Sequence, residues 1–216
     1  MLLKIRQVGE PVLRQRASEI QPEEIGRDGL VRLIEFMRDT MRDAPGVGLA
    51  APQIGVPLRL AVIEDPAEYQ QNLSPEELAV RERAPVPFQV LINPRLTIED
   101  PTLVEYFEGC LSLDGFAALV PRARAVRLEA LDESGRPIAY VAHGWHARIL
   151  QHEIDHLDGA LYIDRMHTRS FTSVENSSRY WRRPIIEVRS ALGLDREEEH
   201  GSPEDGPTAS GTRPDR

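Results

Sequence analysis

Residues 150–159 read LQHEIDHLDG, with His152 and His156 four apart and Glu153 directly after the first histidine. Successive residues of an α-helix turn by about 100°, so a spacing of four leaves two side chains within about 40° of each other, one turn apart. At that spacing two imidazoles reach a single metal ion. Glu153 stands beside the same edge, too far round to be the natural third ligand but close enough to reach a water on the metal. The chemistry of such a set is hydrolysis: a cation lowers the pKa of water, and a carboxylate moves the proton. Ala147, Leu150, Ile154 and Leu157 form a separate apolar face. A helix over this segment can therefore be anchored on one side and present its histidines on another.

Two histidines do not complete a site, because a catalytic metal commonly has three protein ligands and an open position. Downstream, His167 stands among charged and hydroxyl residues and Glu175 lies beyond it, neither in a metal-binding context. His167 and His200 read as scattered surface residues. Upstream, Cys110 lies in EGCLSLDG (108–115), at the end of a strand-like run and just after Gly109. A thiolate is a strong, soft ligand. As the only cysteine, Cys110 forms no intrachain disulfide, and its plainer reading is a small buried hydrophobe.

The elements that would carry these residues are visible in the periodicity. Leu30, Ile34, Met37 and Met41 mark one face of an amphipathic helix stopped at Ala44-Pro45-Gly46. GVGLAAPQIG (46–55) is rich in small residues and suited to close backbone approach. RLAVIED (59–65), FQVLIN (88–93), TLVEYFE (102–108), ARAVRLEALD (123–132) and PIAYVAH (137–143) have strand character, the last two joined by the turn ESGRP. Residues 66–87 read as a polar, proline-rich surface excursion. Strands followed by a helix predict an α+β fold. It would have antiparallel β-sheets packed around a C-terminal His-Glu-x-x-His helix, with an amphipathic helix near the N-terminus. Residues 1–194 are expected to form the catalytic domain and 195–216 a disordered acidic, Gly- and Pro-rich tail.

Composition narrows the partners. The 216 residues carry a net charge of −9, which argues against a specific nucleic-acid partner. No stretch approaches the roughly 20 apolar residues of a membrane span, and none near Met1 resembles a signal peptide. The expectation is a cytoplasmic protein, or the mature form of an organellar one, with no membrane partner.

Taken together, GVGLAAPQIG, EGCLSLDG and QHEIDHLDG resemble, in order and spacing, the glycine, cysteine and histidine motifs of peptide deformylases, with similarity from about Ile5 to Arg169. GFAALVPRARAV and TRSFTSV resemble the branch that includes animal mitochondrial members. Asp114 departs from the pattern, since many members have proline there; the local turn and the substrate rim are where that change would be felt.

The resemblance implies removal of the formyl group from formyl-methionyl nascent peptides. One divalent metal is implied, Fe(II) natively, with zinc, nickel or cobalt as replacements. Cys110, His152 and His156 would be its ligands and Glu153 the proton carrier. Gln53 and the Leu111 backbone N–H would stabilise the oxyanion. Val47, Gly48 and Gly109 would let the substrate lie alongside as a strand. Trp145, two turns before His152, would either line a methionine pocket or pack in the core. Asp155 would orient a ligand histidine or pair with Arg148. Transient ribosome contact is a further expectation. A general metallopeptidase and a non-catalytic relative are the rival readings, the first weakened by the missing downstream ligand.

Overall fold

The structure, a computed structural model, describes residues 1–196. Residues 1–182 form one unit and the chain from Arg183 another. In the first, helix α1 (Asp28–Asp43) buries Leu30, Ile34, Met37 and Met41, the stripe its periodicity predicts. Strand β1 (Gly48–Ala50) follows, then β2 (Leu60–Asp65), a short helix α2 (Pro75–Val80), β3 (Val86–Cys110), β4 (Leu113–Leu131), β5 (Pro137–His143) and helix α3 (Gly144–Leu157). Strand β6 (Thr172–Ser173) and helix α4 (Val174–Tyr180) close the unit. In the second unit, helix α5 (Ile185–Leu192) ends at Gly193 in the left-handed conformation.

Every pairing between these strands is antiparallel, in the order β1-β2-β3-β4-β5 with β6 added against β4. The α+β expectation holds. Strand β2 is buried on both faces and its alternation divides the core. Ala61 and Ile63 pack with Ala147, Leu150, Ile154 and Leu157 of α3, while Leu60 and Val62 pack with the α1 stripe. The sheet is thus sandwiched locally between two helices, one of which carries the histidines.

The runs 88–93 and 102–108 are not separate strands: β3 carries them both, bent between them. The ladder with β4 loses register between Ile92 and Arg95 and again between Asp100 and Leu103. Pro94 and Pro101 lie in those gaps, where the missing N–H breaks no ladder bond. Asn93 sits in the left-handed region and its side chain bonds both the N–H and the carbonyl of Ile20, each at 2.9 Å. The excursion 66–87 contains α2, opened by a capping box: Ser74 Oγ accepts the Glu77 N–H and Glu77 accepts the Ser74 N–H. Strand β4 begins at Leu113, ten residues before the run that alternates clearly. Beyond Arg196 the expected tail lies outside the described residues.

Candidate metal centre

The hairpin between β3 and β4 and the histidine-bearing edge of α3 converge at one end of the sheet. A further loss of register between Gly109 and Cys110 turns the sulfur out of the ladder toward α3. Cys110 Sγ lies 3.3 Å from His156 Nε2, and the ligand atoms of Cys110, His152 and His156 lie within 4.8 Å of one another. A tetrahedral ion with arms of about 2.0–2.3 Å needs donors roughly 3.5 Å apart. One thiolate and two imidazoles are an ordinary donor set for a divalent transition metal, so these residues fit the ion the sequence implies. Three ligands also leave a position open for chemistry.

His152 faces the site through Nε2 because its Nδ1 is bonded to Glu108 Oε2 at 3.0 Å. Glu108 is buried, and Arg122 grips both its oxygens at 3.0 and 2.9 Å. Arg148 reaches Oε1 at 2.6 Å. Burial alone would raise the Glu108 carboxyl; the bonds from His152 and Arg122 outweigh it and hold the group well below the usual carboxylate range. Arg122 continues to Asp155 at 2.5 Å, and Asp155 takes two bonds from Arg165. This corrects both expectations for Asp155. It touches neither ligand histidine nor Arg148; the carboxylate that orients His152 is Glu108, in the cysteine motif itself. His167 is likewise not a scattered surface residue, since its Nε2 lies 2.8 Å from Glu105.

Glu153 is 3% exposed, and its Oε2 has no hydrogen-bond partner among the described residues. Burial pushes this carboxyl up to about 7. Its Oε1 lies where a side chain on Gly48 would start: a Cβ built there falls 2.2 Å from the oxygen. Gly48 is therefore glycine because Glu153 occupies its side-chain space. Gln53, 2% exposed, accepts the Ala50 N–H through Oε1 at 2.8 Å. That bond fixes the amide, leaving Nε2 directed at Ser112 Oγ (3.2 Å) and Cys110 Sγ (3.5 Å).

A cavity of about 530 Å³ gathers Val47, Gly48, Gln53, Gly109, Cys110, Leu111, Trp145, His152 and Glu153 in its lining. His156 is 1% exposed and closes the site from beneath. Along one wall, β1 is the edge of the sheet, paired on one side only with β2. Trp145 lines the cavity and also packs. Its ring meets Tyr106 edge-on at 5.9 Å and lies under the guanidinium groups of Arg81 and Arg83. Sequence reasoning missed Glu108, Arg122 and Ser112. The available signal was a carboxylate one residue before the glycine-cysteine pair, on the strand that ends at the site.

The chain is similar to known proteins over most of its length. A family profile described as "Polypeptide deformylase" matches residues 2–171. The chain is 48% identical over 172 residues to "Peptide deformylase 1A, chloroplastic" of Solanum lycopersicum, covering 80% of this chain and 62% of that protein. It is 50% identical over 194 residues to "Peptide deformylase 3" of Streptomyces avermitilis, covering 89% and 84%. The fold superposes with a TM-score of 0.68 and 29% identity on a class I type b peptide deformylase of Acinetobacter baumannii bound to Met-Ala-Ser, covering 77% of this chain and 99% of that one. The chain thus spans under two thirds of the length of the tomato relative and most of the length of these two bacterial proteins.

Proposed function

The chain belongs to the polypeptide deformylase family, and from that membership we propose that it is a metal-dependent hydrolase removing the N-formyl group from the formylmethionine of new polypeptides, with release of formate. The observation that carries the reading is the Cys110-His152-His156 donor set, two of whose members line one cavity together with Glu153, a buried carboxylate with one oxygen unpartnered among the described residues. A single divalent ion held by Cys110, His152 and His156 supplies, when bound, Lewis-acid polarisation and a water of lowered pKa.

The protein's own groups do the rest. Glu153 accepts the proton of the attacking water as the new C–O bond forms, and returns it to the amine nitrogen as the C–N bond breaks. Gln53 Nε2, whose aim is set by the Ala50 N–H, and the Leu111 N–H donate to the oxygen that becomes negative. The substrate backbone lies against the free edge of β1 at Gly48 and the residue before it, Val47, across the cavity from Gly109. Trp145 closes the methionine end. The Acinetobacter protein of similar fold is bound to Met-Ala-Ser, which supports a methionyl peptide as the occupant.

The native ion is Fe(II), with zinc, nickel or cobalt as replacements that the same donors accept. The substrate is presented during transient ribosome contact. The cytoplasm is the expected compartment, whereas the tomato relative is chloroplastic by its name; cell fractionation with immunodetection decides between compartment types. No helix among the described residues is long and apolar enough to cross a membrane.

Anaerobic formate release from formyl-Met-Ala-Ser, run with metal analysis, tests the reading. Glu153→Ala is expected to lower kcat by at least about 100-fold while one metal per chain stays bound. Wild-type turnover in that variant would remove Glu153 from the reaction.

A further inference from the structure

The rim of the cavity carries a feature that formyl hydrolysis does not use. Phe116, at the start of β4, and Phe171, just before β6, stack with ring centroids 5.1 Å apart and planes 8° from parallel. Both are about two-fifths exposed, and Val174 beside them about half. Large apolar side chains left in water at a cleft mouth forgo burial worth about 25 cal/mol per Å², so their retention in a fixed pair is informative. Phe116 and Val174 line the same cavity as Cys110, Glu153 and Gln53.

The pair is held in place rather than loosely exposed. Ser170, 1% exposed, accepts the Leu119 N–H through Oγ at 2.8 Å and donates its hydroxyl to the His167 carbonyl at 2.6 Å. The His167 N–H in turn reaches the Leu119 carbonyl at 3.0 Å. Beyond Phe171, Thr172 pairs with Ala117 and Ser173 with Phe116 across the β6–β4 ladder. Ser173 then caps α4 by accepting the Asn176 N–H. On the cavity side, the Phe116 carbonyl lies 3.4 Å from where a Gly109 Cβ would be. The backbone carrying the platform therefore adjoins the glycine along which the substrate runs.

We propose that the Phe116–Phe171 pair, extended by Val174, is a specificity platform that takes an apolar, preferably aromatic, side chain of the substrate at a position after the formylmethionine. The occupant follows from continuity: an extended peptide entering the cavity sends alternate side chains to either side, and this rim is the exposed apolar surface contiguous with its path. An aromatic side chain adds a third ring to a stack already formed. The inference rests on the deformylase reading and goes beyond it to substrate choice among new chains.

The test compares kcat/KM for formyl-Met-Ala-X and formyl-Met-X-Ser peptides with X as Ser, Leu or Phe, using the metal-loaded full-length enzyme. In one of the two series, Phe is expected to exceed Ser by about 5- to 10-fold with Leu between. Phe171→Ala is expected to bring that ratio to within about 2-fold of one, and Phe171→Leu to retain part of it. Thermal melting of each variant reports folding, and the milder Phe171→Leu carries the comparison if Phe171→Ala melts early. Ratios near one in both series, or a ratio unchanged in Phe171→Ala, overturn the platform while leaving deformylation intact. No formate from any peptide overturns the deformylase reading and the platform with it.

Discussion

Glu153 and Gly48 form one device although they lie on different elements, about a hundred residues apart. The carboxyl is usable because it is buried, aimed into the cavity and free of a hydrogen-bond partner at Oε2 among the described residues. It stays there because Gly48 lacks a Cβ, which would otherwise sit 2.2 Å from Oε1. Gly48→Ala must push Glu153 aside, since backbone on β1 yields less readily than a side chain. The expected result is a fall in kcat of at least about 10-fold, as displacement of a catalytic group by an ångström typically brings, with metal content and melting temperature close to wild type. Formate release and metal analysis on the same preparation check this; full kcat in Gly48→Ala would show that the carboxyl works from elsewhere. The metal ligands and Glu153 are legible in the sequence because their spacing is local or their motif is short. Glu108 shares the short motif of Cys110, two residues on, yet the motif does not tell which group it serves. Its partner His152 is 44 residues away, and no periodicity links a strand residue to the helix that crosses its end.

At the scale of elements, regular periodicity is readable and irregular geometry is not. Strand β5 matches its predicted residues, and α1 and α3 bury the predicted stripes. The long β3 reads as two strands because its prolines mark breaks, and composition alone does not distinguish a bend from an end. The β4–β5 connection is a case where local chemistry suffices. Asp132 accepts bonds from the Ser134 hydroxyl and N–H and from the Arg136 N–H and guanidinium, closing the turn before β5. The Ser134 hydroxyl first, then the Arg136 N–H, hold the Asp132 carboxyl down at about 2. A carboxyl with a depressed folded pKa contributes stability that is fully present above its unfolded value near ~3.9 and is lost as pH falls through the folded value. NMR titration of the Asp132 side chain should therefore give a midpoint near 2, and Asp132→Ala should lower the melting temperature at neutral pH more than at pH 2. A midpoint at the ordinary carboxylate value would mean the turn is open in solution.

Across the whole first unit, two links join the β3–β4 hairpin to α3, and they meet at the bond between Glu108 and His152. One would be a metal ion, when bound, held by Cys110, His152 and His156. The other is the buried chain of charges Arg148–Glu108–Arg122–Asp155–Arg165, whose central guanidinium is 3% exposed. Their consequences for stability differ. A bound metal stabilises by mass action, about 2.7 kcal/mol at a hundredfold excess over Kd. Chelation should lower the melting temperature yet leave a folded protein, because α3 still buries Ala147, Leu150, Ile154 and Leu157 and the charge chain is complete. Removing Arg122 is a different matter. In Arg122→Leu, Glu108 loses two of its bonds and Asp155 loses one, while both remain buried carboxylates. Removing one partner of a buried ion pair costs about 3–5 kcal/mol, and the bonds kept from Arg148, His152 and Arg165 place this variant toward the low end of that range. The expectation is that Arg122→Leu loses more stability in urea than chelated wild type does, and also binds metal more weakly because His152 no longer has a fixed Glu108 behind it. Urea unfolding of wild type and variant, each with and without chelator, separates the two links. If chelation alone unfolded the wild type while Arg122→Leu stayed stable, the ion rather than the buried charges would be what joins hairpin to helix.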